Sequence, residues 1–131
     1  MVEIKELKKY HDCNIFAENE KSKKLKEEWL KKSRGERDFI QDYVHTRRKE
    51  RLLTDYLVIE DVVWEEELEE YLEALKKYKV NKFIYADTST ACYRTVLFFL
   101  KKGAKISPID YKTEFRFGED DATVQGMLIE L

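Results

Sequence analysis

The chain has 131 residues, with 25 Lys+Arg against 27 Asp+Glu, 43% hydrophobic and 40% charged residues, and four Gly and one Pro. That length supports one core without staples, and an aromatic content of 13% with charges of both signs excludes an intrinsically disordered acidic chain. A net charge of −2 excludes capture of nucleic acid by the surface as a whole, and the longest apolar run, Val96 to Leu100, is far short of the roughly 20 residues that a bilayer requires.

The start of the chain alternates charged and aliphatic residues without an apolar signal segment, and Cys13 and Cys92 match no metal or redox spacing. A reducing cytoplasm suits both features. One domain is expected over residues 1–131, with a helical half (1–53) and an α/β half (54–131).

Taken in chain order, Ile4 and Leu7 mark a short first helix, broken near His11-Asp12-Cys13-Asn14. A charged helix follows from Ala17 to Ser33, with Leu25, Trp29 and Leu30 as a narrow apolar stripe. Ser33-Arg34-Gly35 reads as an interruption, and Phe39, Ile40, Tyr43 and Val44 define a further amphipathic helix ending near Arg51 or Leu53. Leu57 to Asp61 reads as a connector. The most regular helix then starts near Val63, with Trp64, Leu68, Tyr71, Leu72, Leu75 and Tyr78 within one core-facing arc and Glu67 between the two faces.

Lys82 to Ala86 reads as a strand, and Asp87-Thr88-Ser89-Thr90 as the cap of a helix that stops at Lys101-Lys102-Gly103. Ala104 to Ile106 is a second strand, with Pro108 confining that region to an edge or bend. Tyr111, Thr113, Phe115 and Phe117 alternate with charged residues as a half-exposed antiparallel strand, and Thr123 to Leu131 returns from a turn at Gly118 to Asp121. The expected fold is α+β: N-terminal helices followed by a helix-β-α-β-β unit with a small mixed sheet.

Charge is segregated along the chain. Residues 1–51 hold 15 Lys+Arg and 11 Asp+Glu, a net of +4, and residues 52–131 hold 10 and 16, a net of −6. Eight of the fourteen residues from Glu60 to Glu73 are acidic. Projected on a helix, Glu65, Glu66, Glu69, Glu70 and Glu73 share the face opposite the apolar arc, a negative surface able to imitate a row of phosphates in a partner's basic groove. The same pattern also fits a solvated face matched to the helix dipole.

Three further features carry chemistry. Asp87, Thr88, Ser89 and Thr90 sit between a strand and a helix N-terminus, where anions bind in α/β units, although no glycine-rich cradle or P-loop lysine accompanies them. Cys92 falls in the first turn of that helix, where the dipole lowers a thiol's pKa, but it projects onto the apolar arc with Tyr93, Val96, Leu97, Phe99 and Leu100, and no histidine connects to it. Phe98 projects away from that arc among Arg94, Lys101 and Lys102, which suits a contact with a partner, with a neighbouring subunit or with the N-terminal helices. His11, Asp12 and Cys13 lack the fourth donor of a zinc site, so neither a metal nor a cofactor is expected.

The segment Val62 to Tyr71, the Phe83-Ile84-Tyr85-Ala86 strand with its Thr/Ser-rich cap, and Lys102-Gly103-Ala104 resemble an uncharacterised family of small phage and mobile-element proteins over residues 58–108. That resemblance implies no catalytic residues. It implies an accessory role, since such proteins often bind and inhibit host defence machinery. The expected function is therefore a non-enzymatic binding protein, a phage-type inhibitor of a host defence protein or nuclease, acting in the host cytoplasm through its acidic face and Phe98. The partner is expected to be a host protein with a basic nucleic-acid-binding groove, with no membrane and no direct nucleic-acid binding, and self-association left open. The alternative is a nucleotide or anion binder using Asp87 to Thr90.

Overall fold

The computed structural model describes residues 3–13, 15, 18–48, 52–53, 56–87, 89–113 and 122–131. A 3-10 turn at Lys5–Leu7 leads into α1 (Lys8–Asp12), followed by α2 (Glu20–Leu30) and α3 (Arg34–Arg48). Strands β1 (Leu52–Leu53) and β2 (Leu57–Ile59) precede a second 3-10 turn at Glu65–Glu67 and α4 (Leu68–Lys77). Then come β3 (Lys82–Tyr85), α5 (Cys92–Lys101), β4 (Lys105–Thr113) and β5 (Ala122–Glu130). The fold is α+β, built on a mixed five-stranded sheet of order β1-β4-β5-β3-β2.

Leu57–Ile59 is thus a strand, not a connector. It lies parallel to β3, with Val58 opposite Ile84, and all three residues are buried. A strand buried on both faces shows no alternation, so the run carries no period-2 signal. α4 is consequently the crossover between two parallel neighbours, β2 and β3. The next crossover is split: β5 lies antiparallel to both β3 and β4 and fills the space between them. β4 runs unbroken through Pro108. β1 covers β4 only at Lys112 and Thr113, so at Pro108 the strand is locally an edge, where a missing N–H costs nothing.

One face of the sheet contributes Leu57, Ile59, Phe83, Tyr85 and Ile129 to a cluster that also takes in Ile4, Leu7, Tyr10, Leu25, Trp29, Phe39, Tyr43 and Tyr71. The N-terminal helices therefore dock on the shared core. The backbone N–H of Ile4 donates to the buried Tyr43 hydroxyl at 3.0 Å, and Lys9 pairs with Glu28. On the other face, Val58, Ile84 and Tyr111 form a smaller cluster. A Cβ on Gly126 would lie 2.9 Å from Ile84 and 3.4 Å from the Tyr111 ring, so the glycine makes room for the ring beside Ile84.

Gly35 is helical and does not interrupt α3. A Cβ there would come within 2.4 Å of the Glu70 Cβ and 2.6 Å of the Tyr71 backbone nitrogen. The glycine lets the start of α3 lie directly on α4, and its N–H donates to Glu70 Oε1 at 3.2 Å. Further along, Glu36 of α3 accepts from Lys77 Nζ and the Tyr78 hydroxyl, each at 2.9 Å. Burial works against its charge, but these bonds and Lys32 prevail and hold the Glu36 carboxyl below its usual range. The Thr46 hydroxyl reaches the Val58 carbonyl at 2.9 Å, so α3 covers the free edge of β2.

The helix ends obey local rules. Asn19 caps α2 through Ser22 N–H at 2.9 Å, and Gly103 closes α5 with a φ of 87°. Lys79 closes α4 with a φ of 58°, a conformation more often left to glycine. Among the described residues no helix is long and apolar enough to cross a membrane.

Candidate functional site

The site is the surface where the start of α4 meets α5. α4 buries Leu68, Tyr71, Leu72 and Leu75 as its periodicity predicts, with Tyr78 half-buried. Two residues depart from that projection. Trp64 is 61% exposed, and Glu67 is buried. The reason is the 3-10 turn at Glu65–Glu67, which advances the chain by about 120° per residue and rotates everything before Leu68 away from the α-helical projection.

The five acids of the exposed face are not one open field. Glu65 pairs with Arg94 of α5 at 2.9 Å, Glu69 with Lys102 at 2.8 Å, and Glu70 is engaged by the Gly35 N–H. Among the described residues, Glu66 and Glu73 have no ion-pair partner. The acidic face is therefore partly matched by the basic residues of α5, leaving a seam of alternating sign between the two helices.

α5 is rotated by about a quarter turn from the facing its sequence suggests, keeping Cys92, Val96 and Phe99 inward and turning Tyr93, Leu97 and Leu100 out. Thr95 and Phe99 are its buried residues, and Tyr93, Leu97 and Leu100 are 55%, 47% and 49% exposed. Phe98, expected to face outward, is half-buried, packs against the core and meets Phe99 edge-on at 5.2 Å. Its ring carries Lys102 Nζ at 5.4 Å. Cys92 is half-buried against the core, as expected. Among the inward residues Thr95 is polar, and its hydroxyl faces the Val63 carbonyl at 3.5 Å.

The outcome is a stripe of three large apolar side chains at i, i+4 and i+7. Arg94 ties it to α4: its Nε donates to the Tyr93 hydroxyl at 3.3 Å while its Nη1 donates to Glu65 at 2.9 Å. Tyr93, Arg94 and Glu65 thus connect the α5 stripe to the exposed Trp64 end of α4.

The loop after β3 is organised around its own carboxylate. Asp87 is buried and accepts from the Tyr85 hydroxyl at 2.9 Å, the Ser89 N–H at 2.9 Å and the Ser89 hydroxyl at 2.8 Å. Burial holds the Tyr85 phenol well above its usual range, and Asp87 adds to this. The Ser89 N–H and hydroxyl are thereby occupied by Asp87 itself, and Glu65 adds negative charge next to Arg94. Thr90 is exposed, α5 starts without a side-chain cap, and Thr88 lies outside the described residues. At the other end of the chain, His11 Nδ1 lies 3.0 Å from Asp12, while Cys13 Sγ turns to the Ser22 hydroxyl at 3.3 Å, so the three do not converge.

The family described as Domain of unknown function (DUF7698) matches residues 38–127. The chain belongs to that family. The DUF7698 segment begins inside α3 and ends inside β5, so it takes in α4, α5 and their seam, and it leaves α1 and α2 outside. It contains the 58–108 segment and extends beyond it in both directions. No curated protein and no solved structure matches the chain.

Proposed function

We propose that the chain is a non-enzymatic protein-binding module that docks through the α5 stripe and the acidic edge of α4. The observation that carries this reading is the exposure of Tyr93, Leu97 and Leu100 on one face of α5. Three large apolar side chains at helical spacing, bordered by Arg94 and Lys101 and by the acids of α4, have the anatomy of an interface: an apolar centre within a charged rim. Glu66 and Glu73, without ion-pair partners among the described residues, supply negative charge for a basic surface on the other side. The resemblance over residues 58–108 supports a more specific form of the reading, a phage-type inhibitor working in the host cytoplasm on a defence protein or nuclease with a basic groove.

The test is native mass spectrometry of the protein taken from its host cells, comparing the wild type with Leu97→Asp/Leu100→Asp. The expected result is a mass corresponding to a complex with a second, different protein, lost in the double variant while its melting temperature stays within about 3 °C of wild type, since both positions face water. A complex that survives the double substitution, or a wild-type protein that carries no partner, rejects the reading.

A further inference from the structure

Away from the α4–α5 seam, a cleft of about 250 Å³ opens where the ends of α2, α3 and α4 meet, lined by Trp29, Arg34, Arg37, Asp38, Trp64 and Glu67. Both tryptophans of the chain line it. Trp29 is buried, with the Arg37 guanidinium 5.4 Å over its ring, and Trp64 is exposed. Glu67 is only 5% exposed. Its Oε1 pairs with Arg34 Nε at 3.3 Å, while its Oε2 is buried with no hydrogen-bond partner. Arg37 Nε is likewise buried and unpartnered.

A buried acceptor and a buried donor, both unsatisfied, are costly, and more so where the group is charged. Their coincidence in one cleft defines the chemistry of what completes them. A bare phosphate or carboxylate would suit Arg34 and Arg37 but would set a negative charge against Glu67 and Asp38. A simple cation would suit Glu67 and leave Arg37 facing a like charge. A ligand with a donor and an acceptor side by side on one edge satisfies both, and a flat ring system uses the exposed face of Trp64.

We infer that this cleft binds a guanine nucleotide. Guanine carries the acceptor O6 beside the donors N1–H and N2–H₂, so Glu67 Oε2 takes the donors while Arg37 Nε–H reaches O6, a type of contact by which arginine reads guanine elsewhere. The other nucleobases offer one donor group on their pairing edge where guanine offers two. Arg34, 75% exposed in its side chain, stands at the mouth, where its guanidinium can meet a phosphate. Arg34 engages Oε1 alone, which leaves Oε2 for the base. The volume lies below the roughly 300–1,000 Å³ of drug-sized sites, which matches one base rather than a dinucleotide. Trp29, Arg34 and Arg37 precede the DUF7698 match and Asp38, Trp64 and Glu67 lie within it, so the site is assembled across that boundary.

The experiment is calorimetric titration of the full chain with GMP, AMP, CMP, UMP and inorganic phosphate, with tryptophan emission followed in parallel because both fluorophores line the cleft. Saturable binding of GMP with a change in emission is expected, with the other nucleotides roughly tenfold weaker or worse. Glu67→Gln should weaken GMP about tenfold with an unchanged circular dichroism spectrum, and Trp64→Ala, at an exposed position that does not endanger folding, should weaken it comparably. Equal affinity for all four nucleotides, phosphate binding as tight as GMP, no saturable GMP binding at millimolar concentration, or undiminished binding in Trp64→Ala overturns the assignment. None of these outcomes depends on a protein partner.

Discussion

Gly35 shows how one residue sets the distance between two helices. Any side chain there meets the Tyr71 backbone nitrogen at 2.6 Å and the Glu67 carbonyl oxygen at 2.7 Å, and backbone atoms cannot rotate out of the way. Gly35→Ala is therefore expected to destabilise by about 3 kcal/mol, despite alanine's higher helix propensity, and to lower Tm by about 10 °C. Thermal unfolding followed at 222 nm checks it; a stabilised variant would show that α3 and α4 can separate without loss. From the sequence Gly35 reads as a chain break, because a helical glycine and a loop glycine look the same until the opposing helix is known. Glu67 was equally hard to assign. Its charge belongs to the acidic run, and only the 3-10 turn explains why it is buried while Trp64 is exposed.

Between elements, the α3–α4 contact contains an acid that resists ionisation. Asp42 of α3 accepts from the buried Tyr71 hydroxyl of α4 at 2.7 Å. Burial pushes its carboxyl up from 3.8 to about 7; the Tyr71 bond opposes the rise and the charge of Asp61 adds to it. The folded protein thus holds a proton that the unfolded chain has released, so stability is greatest below the unfolded pKa and declines as pH rises toward 7. Asp42→Asn keeps an acceptor for Tyr71 and removes the titration. Relative to wild type it should gain on the order of 3 kcal/mol between pH 4.5 and pH 8, measured by urea denaturation. A parallel pH dependence in the two proteins would refute this.

The helices were legible from sequence where one face is clearly apolar: α3 and α4 bury Phe39, Ile40, Tyr43, Leu68, Tyr71, Leu72 and Leu75 as projected. α5 was not, because Tyr93, Val96, Leu97, Phe98, Phe99 and Leu100 surround most of its circumference. Several orientations then place an apolar arc inward, and the one adopted buries Thr95, a residue that hydrophobic periodicity does not assign to the core. The candidate surface moved accordingly, from Phe98 to Tyr93, Leu97 and Leu100. β2 escaped notice as three residues without alternation. The alternating Phe115 and Phe117 and the turn at Gly118 to Asp121 lie outside the described residues.

For the molecule as a whole, the α+β class follows from element order, but the strand order does not. β3 and β4 flank α5 in the chain, yet they are held apart by β5, which pairs with both. Nothing in a local pattern announces an insertion of this kind; it depends on β5 finding partners on its two sides. The charge asymmetry, +4 against −6, likewise takes shape only in three dimensions: Arg34 of the basic half pairs with Glu67 of the acidic half, and within the acidic half Arg94 and Lys102 offset Glu65 and Glu69.

The place of β5 has a consequence for assembly. Until that strand arrives, β3 and β4 present two facing rows of unpaired N–H and C=O groups one strand-width apart, a slot that recognises the β5 sequence without regard to which molecule carries it. Intramolecular closure wins at low concentration, and exchange competes as concentration rises. Refolding from urea at increasing protein concentration should therefore yield a growing fraction of strand-exchanged dimers, resolved by size-exclusion chromatography with light scattering, and an exclusively monomeric product at every concentration would contradict this. The central strand of the sheet is thus also the part of the chain that two molecules can trade.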